Sequence, residues 1–105
     1  MNLEDKMLVG EAEIQRTVEG LDGWRYDADS RTLIRKWAFD KYVPTMVFIR
    51  KLTEVMDREN HHSDLALDGR TKTLTVKVTT FSEDAVTQAD LDFAKSVSEL
   101  QMQLG

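Results

Sequence analysis

A hairpin pattern in the second half of the chain restricts the fold more than any other feature of the sequence. Residues 64–67 and 72–80 predict two strands, and the turn-forming pair Asp68-Gly69 separates them. In the second strand every other side chain is apolar, and the positions between them are threonine or lysine. Successive side chains of a strand point to opposite faces, so this strand has one buried face and one wet face. The apolar positions predicted to point inward are Leu74, Val76 and Val78.

The remaining segments predict two further strands and three helices. The strands cover 24–26 and 32–39, and the helices cover 10–21, 41 to about 60, and the segment that follows 87–90. Strands that come in adjacent pairs with short turns pair antiparallel. We therefore predict an α+β fold, a four-stranded antiparallel sheet with three helices in the order α-β-β-α-β-β-α. One domain of residues 1–105 is expected from the length.

Two helix starts carry recognisable signals. Asp40 is the predicted N-cap of the central helix, and Pro44 falls in its first turn, where a missing N–H costs little. The last helix opens with Thr87-Gln88-Ala89-Asp90, which resembles a capping box with a shortened acid. If this helix start faces the histidines, Asp90 could also orient an imidazole.

The central helix has more apolar positions than one buried face requires. A helix that packs on a sheet needs an apolar stripe of about 100°, whereas these positions cover much more of the circumference: Tyr42, Val43, Met46, Val47, Phe48, Ile49, Leu52, Val55 and Met56. A deeply buried helix is one explanation. In so small a domain a second subunit is the better one, so we predict a homodimer or homotetramer that forms through this helix.

Composition excludes several classes of protein. There are 19 acidic and 14 basic residues, a net charge of -5, which argues against a nucleic-acid-binding face. No apolar run approaches the roughly 20 residues of a membrane span, and the first six residues lack the apolar core of a signal peptide. The chain has no cysteine, which excludes disulfides and thiolate ligands. A cytoplasmic protein is the expectation.

The two histidines of the chain, His61 and His62, stand side by side between the carboxylates Asp57, Glu59 and Asp64. Imidazole titrates near pH 6.5, so these groups can donate and accept protons at cellular pH. The alternative is a solvated pair that interacts with the C-terminal helix dipole. Adjacent side chains of extended backbone diverge, and no second histidine group exists, so we predict no metal site.

Aromatic side chains offer a second candidate feature. Trp24, Trp37, Phe39 and Phe81 could line a pocket for a flat heterocycle. Ordinary core packing is the alternative, and it is favoured for Trp37 and Phe39. The position of Trp24, directly after Gly23 at the start of a strand, leaves both interpretations open.

Nearly the whole chain resembles the pterin-4a-carbinolamine dehydratases. The similar segments are Leu-Asp-Gly-Trp at 21–24, the strand and helix start at 33–42, the acidic and histidine stretch at 57–64, and Val-Thr-Gln-Ala-Asp at 86–90. The resemblance implies a subunit that assembles into dimers or tetramers. It also implies loss of water from 4a-hydroxytetrahydropterin, with no metal or organic cofactor.

The resemblance also implies roles for individual residues. His61 and His62 correspond to acid/base and pterin-contacting residues, Asp57 to the acid upstream of them, and Asp90 to the acid at the helix start. With these catalytic histidines we predict the following substrate-binding residues: Trp24, Asp57, Ser63, Asp64, Thr80, Phe81 and Asp90.

Several positions depart from the pattern of the family. Phe81 stands where the family has a third histidine, and phenylalanine cannot transfer a proton. Ser63 replaces a proline, Arg70 and Thr71 stand where an aromatic residue is expected, and Asp-Ala replaces Gly-Gly at 84–85. Two functions follow: a dehydratase weakened by Phe81, or a non-catalytic relative that binds a protein partner. Members of the family support the second class too, since some stabilise a transcription-factor dimer and others assist Rubisco assembly.

Overall fold

A four-stranded antiparallel sheet carries the helices in the computed structural model of the protein. The structure describes residues 9–61 and 63–104, with side chains as far as residue 100. The elements in chain order are α1 (Glu11–Glu19), β1 (Trp24–Asp27), β2 (Thr32–Ala38), α2 (Tyr42–Glu59), β3 (Asp64–Asp68), β4 (Thr73–Val78), a 3-10 helix (Phe81–Glu83) and α3 (Gln88–Leu104). The predicted α+β fold and its order of elements are confirmed.

The strands lie in the order β1-β2-β4-β3, and all three neighbouring pairs are antiparallel. Leu33 of β2 lies opposite Val78 of β4. The end of β4 therefore lies beside the start of β2, and the segment that follows β4 passes close to Arg31. This arrangement brings the connection between β4 and α3 to one end of the sheet.

The core lies between one face of the sheet and the helices. Leu74, Val76 and Val78 of β4 are fully buried, as the alternation in the sequence predicted. Phe48 and Leu52 of α2 pack against them in the same cluster. Helix α3 adds another buried set to this cluster: Leu91, Phe93, Ala94 and Val97.

One charged side chain, Arg35, lies on the buried face of β2 between Leu33 and Trp37. Its guanidinium carbon is 4.7 Å from the centroid of the Trp37 ring, and its Nη1 donates to the carbonyl oxygen of Asp22. Burial lowers the pKa of Arg35, and the nearby Asp22 opposes that shift. Gly23, at φ +84°, passes so close that a Cβ there would lie 2.6 Å from Cζ of Arg35. The positive φ favours glycine at this position, and a side chain there would also have to displace the guanidinium of Arg35.

The connection between β3 and β4 lies one residue later than predicted, because the strand that was expected to end before the pair Asp68-Gly69 includes Asp68. Asp68 is the last residue of β3, and its Oδ1 accepts the backbone N–H of Arg70 at 2.9 Å. The left-handed residue is Lys72, with φ 57°. The aspartate side chain substitutes for a backbone turn, so Gly69 does not have to supply a positive φ.

The prediction that Asp40 is the N-cap of α2 was also wrong, by one residue. The cap position is Lys41, whose extended backbone makes no side-chain capping bond. The hydroxyl of Thr45 donates to the carbonyl oxygen of Lys41 at 2.7 Å, and Pro44 lies in the first turn as predicted. Because α2 begins at Tyr42, Asp40 is too early in the chain to reach the free N–H groups of that turn.

The first half of α2 leaves a group of apolar side chains uncovered. Val43 is 74% exposed, and Tyr42, Met46 and Val47 are between 38% and 49% exposed. The opposite side of the same helix is buried in the core. The excess of apolar positions predicted from the sequence is therefore a real surface of this chain. No helix among residues 9–61 and 63–104 is long and apolar enough to span a bilayer.

Candidate functional site

The end of α2 turns His61 toward the interior. Asn60 adopts a left-handed conformation with φ 51°, which asparagine tolerates better than most residues. The N–H of His61 then donates to the carbonyl oxygen of Met56 at 3.0 Å. The imidazole is 10% exposed and lies edge to face against Phe93, with 5.7 Å between ring centroids. The cap geometry thus converts a residue at a helix end into a nearly buried one.

The start of α3 buries Asp90 completely. Thr87 occupies the position before the helix, and its backbone N–H donates to Oδ2 of Asp90 at 2.8 Å. This bond is the carboxylate half of the predicted capping box. The N-terminus of a helix stabilises negative charge, which favours a carboxylate at this position.

The two groups meet directly. Nε2 of His61 lies 2.6 Å from Oδ1 of Asp90. The start of α3 therefore faces a histidine, as the sequence analysis required for Asp90 to orient an imidazole. The imidazole that Asp90 orients is that of His61. A buried carboxylate bonded to one ring nitrogen holds an imidazole in a fixed orientation. This arrangement is suited to proton transfer through the opposite side of the ring.

Thr80, two residues after the end of β4, completes the buried cluster. Its Oγ1 lies 2.8 Å from Oδ2 of Asp90 and 2.8 Å from Oγ1 of Thr87. Backbone bonds between Thr80 and Ala85 close the loop that connects β4 to α3. The sheet, α2 and α3 are thereby joined at one carboxylate.

Phe81 follows Thr80 and projects from this cluster into solvent, with 75% of its area exposed. The loop that carries it is fixed: Asp84 adopts φ 49°, and its carboxylate Oδ2 lies 3.0 Å from Nη1 of Arg31. The hydroxyl of Thr79 donates to the carbonyl oxygen of Arg31. A large aromatic ring is therefore exposed on the residue that directly follows Thr80, a hydrogen-bond partner of Asp90.

Comparison with known proteins identifies the family. The model of the pterin 4 alpha carbinolamine dehydratases matches residues 7–100. The chain belongs to this family. A protein of Sulfolobus acidocaldarius is 28% identical over 90% of this chain and 100% of its own length, and one of Trichormus variabilis is 33% identical over 89% and 96%. Both are provisionally named pterin-4-alpha-carbinolamine dehydratases.

Two solved structures share the fold at 20% identity. A transcriptional coactivator/pterin dehydratase of Brucella melitensis superposes with a TM-score of 0.80 over 89% of this chain and 97% of that protein. A pterin dehydratase-like protein described as a RuBisCO assembly factor in the alpha-carboxysome superposes with a TM-score of 0.62 over 74% and 88%.

The remaining predicted residues of this pterin dehydratase family member lie at different depths. Asp57 and Asp64 are exposed, on the last turn of α2 and at the start of β3, and Asp64 lies opposite Lys77. The hydroxyl oxygen of Ser63 is buried and has no hydrogen-bond partner among the described residues. His62 lies outside the described residues. Within the described part of the chain, no cluster of three potential ligand residues could hold a metal ion.

Trp24 packs in the core. It is 6% exposed, its Nε1 donates to Oγ of Ser98 at 3.0 Å, and its ring lies edge to face on Trp37 at 6.1 Å. The core interpretation of Trp37 and Phe39 also agrees with the structure, in which both rings contact Phe48. These contacts do not bring Trp24 together with His61, and its role in substrate binding stays a prediction.

Sequence reasoning did not assign two residues that shape the site. Phe93 forms the wall against His61, and the Thr87 hydroxyl bonds to Thr80. The capping-box signal pointed to Thr87 as a helix start, but a hydroxyl contact across seven residues depends on the loop conformation. The contact between Phe93 and His61 depends on how two distant helices pack.

Proposed function

We propose that the protein is a 4a-hydroxytetrahydropterin dehydratase, which eliminates water from the pterin carbinolamine and so recycles a pterin cofactor. The observation that carries the proposal is the His61–Asp90 pair, a nearly buried imidazole 2.6 Å from a fully buried carboxylate. Membership of the family supports the same class of reaction. Dehydration needs only proton transfers, which histidine performs near neutral pH.

In the proposed reaction His61 and His62 share the acid and base roles. One group protonates the C4a hydroxyl, the C–O bond breaks and water leaves. A ring N–H gives up its proton to the other group, and the new double bond completes quinonoid dihydropterin. No electron acceptor is required, because the oxidation level of the ring does not change on loss of water.

Two further features fit a flat, polar substrate. The buried hydroxyl of Ser63, without a partner among the described residues, is free to bond to a polar edge of the pterin. The exposed ring of Phe81 offers an apolar face on which the bicyclic ring can stack. We propose that the exposed carboxylates Asp57 and Asp64 contribute negative charge at the entrance to the substrate-binding site.

The test is a rate assay on enzymatically generated 4a-hydroxytetrahydropterin. Wild-type protein should accelerate dehydration above the buffer rate, and His61→Ala should lose about 10²–10⁴ of that acceleration, the usual effect of one general acid or base. Circular dichroism should show that the variant is folded. A wild-type rate equal to that of buffer would remove the proposal.

A second function, assembly through protein contacts, is favoured by the uncovered face of α2. A cluster of four large exposed apolar side chains on one helix is typical of an interaction surface. We propose that a second copy of the chain covers it in a homodimer or homotetramer. Light scattering after gel filtration should give an oligomer for wild type and a smaller species for Met46→Glu.

A non-catalytic role with another protein partner becomes the preferred function if two experiments give the opposite results. These are a wild-type monomer in solution and no dehydratase activity. One solved structure with a similar fold is described as a RuBisCO assembly factor, which supports this alternative. We propose a cytoplasmic location for either function.

A further inference from the structure

We propose that Arg31 is a positioning residue, whose bonds to Asp84 fix the place of the Phe81 ring. The catalytic meaning of this proposal rests on the proposed function, in which the pterin stacks on that ring. Its structural content is the conformation of the loop at 79–85, which can be measured without any substrate.

Two residues that are not glycine take a left-handed backbone conformation and meet at this loop. Arg31 is the last residue of the turn between β1 and β2 and has φ 53°, and Asp84 follows the 3-10 helix with φ 49°. A left-handed conformation costs free energy for any residue with a Cβ, and the cost is larger for a long side chain than for aspartate. Such a conformation persists only where surrounding contacts hold it.

Arg31 supplies those contacts to a loop that lies 53 residues away in the chain. Its Nη1 donates to the carbonyl oxygen of Asp84 at 3.2 Å and to the carboxylate Oδ2 of the same residue at 3.0 Å. Before the loop, the hydroxyl of Thr79 donates to the carbonyl oxygen of Arg31 at 2.8 Å. The arginine is therefore bonded on both sides of the 3-10 helix that begins at Phe81.

The Arg31–Asp84 pair acts on the local conformation more than on global stability. The two side chains are 57% and 89% exposed, and an exposed ion pair contributes little to the free energy of unfolding. One guanidinium nitrogen contacts both the backbone and the side chain of Asp84, which favours a single orientation of that residue. The backbone N–H of Asp84 in turn donates to the carbonyl oxygen of Phe81 at 3.2 Å. The orientation of Asp84 is thus linked to that of Phe81.

Phe81 should respond to loss of the pair more than Thr80 does. Thr80 is buried, its N–H donates to the carbonyl oxygen of Ala85 at 3.1 Å, and its Oγ1 lies 2.8 Å from Oδ2 of Asp90. The ring of Phe81 is 75% exposed, so its place follows the backbone that carries it. Loss of the pair should therefore weaken substrate binding and leave proton transfer by His61 nearly unchanged.

The first experiment measures kcat and KM for Arg31→Ala beside Arg25→Ala, which removes an exposed arginine from β1 of the same hairpin. Arg31→Ala should raise KM by about two- to fivefold, the range that an exposed ion pair supports, with kcat within about twofold. Arg25→Ala should leave both unchanged. Arg31→Lys should stay near wild type, because a single nitrogen makes both contacts to Asp84. An unchanged KM in Arg31→Ala would overturn the proposal.

A second pair of variants tests whether the arginine acts through Asp84. Glycine adopts a positive φ without help from a neighbour, so Asp84→Gly removes the need for the pair. In the Asp84→Gly background, Arg31→Ala should change KM by much less than it does in the wild-type background. Equal effects of Arg31→Ala in the two backgrounds would refute a role that operates through Asp84.

The substrate-free measurement is the exchange of the Asp84 amide with water, followed by NMR magnetisation transfer. Exchange should become about two- to fivefold faster in Arg31→Ala and stay unchanged in Arg25→Ala, with circular dichroism showing that both variants are folded. Unchanged exchange in Arg31→Ala would overturn the proposal.

Two combinations separate this proposal from the proposed function. Faster exchange in Arg31→Ala, in a protein whose wild type has no dehydratase activity, would support the loop conformation set by Arg31 and remove the enzymatic role. An active wild-type protein whose exchange and KM are both unaffected by Arg31→Ala would support the enzyme and remove the positioning role.

Discussion

Replacing Asp90 by asparagine should destabilise the protein far more than the small difference in shape between the two side chains indicates. The carboxylate is fully buried and accepts bonds from the His61 ring, the Thr80 hydroxyl and the Thr87 backbone N–H. An amide has one oxygen where the carboxylate has two. Whichever way it is oriented, its NH2 group faces a donor on one side, either His61 or the Thr87 N–H.

The expected cost follows from the bonds that are weakened. A hydrogen bond to a charged group contributes about 1.5–3 kcal/mol, and a neutral one about 1 kcal/mol. The amide of the Asp90→Asn variant could keep the two Oδ2 bonds in neutral form, but it loses the charged bond to His61 unless the ring changes tautomer. We therefore expect the free energy of unfolding to fall by about 2–3 kcal/mol, a decrease in melting temperature of roughly 10–15 °C for a domain of this size.

Thermal and urea unfolding followed by circular dichroism measure this change. Asp92→Asn is the matched control, because it makes the same substitution two residues later on the same helix, where the carboxylate is exposed and accepts a bond from the amide of Gln88. It should change stability by less than about 0.5 kcal/mol. Equal stability of the two variants would refute the argument that Asp90 is held by its buried donors.

Three further predictions follow from the structure. Gly23→Ala should destabilise the fold by about 1–2 kcal/mol in urea unfolding, because φ is positive and the guanidinium of Arg35 must move to admit Cβ. Gly10→Ala meets no atom within 4 Å and should cost less than about 1 kcal/mol. Phe81→His should raise the dehydration rate by up to about 10²-fold, because it adds a group that can transfer protons. Stability should stay unchanged within about 0.5 kcal/mol, because the ring of Phe81 is exposed. An unchanged rate would show that the position takes no part in proton transfer. The Ser30 hydroxyl lowers the pKa of Asp27, so this pair stabilises the fold above the ordinary carboxyl range at about pH 3.9 and ceases to do so as the pH falls through the depressed value. Ser30→Ala should shift the carboxyl titration of Asp27 upward in NMR, and an unmoved titration would contradict the assignment.

The sequence predicted the fold because its signals are local. Alternation along β4 required one buried face, and the order of paired strands required antiparallel neighbours. Local signals also set the limits of the prediction. Asp68 belongs to β3 instead of the turn, and the N-cap of α2 is Lys41 instead of Asp40. In both places the difference is one residue, and element boundaries are the part of a local pattern that is least sharply defined.

The site was predictable in part for the same reason. The histidine stretch and the capping box each carried a signal, so His61 and Asp90 could be named separately. Their contact at 2.6 Å depends on the packing of α2 against α3, which no local pattern records. The exposure of Phe81 likewise depends on the 3-10 helix and the Arg31–Asp84 pair, which join parts of the chain 53 residues apart.

The most direct test of the central claim is the dehydration rate of Asp90→Asn measured beside Asp92→Asn, at a temperature where both variants are folded. If His61 transfers protons while Asp90 holds it, kcat should fall by about 10²-fold or more in Asp90→Asn and stay near wild type in Asp92→Asn. Equal rates in the two variants would contradict the account.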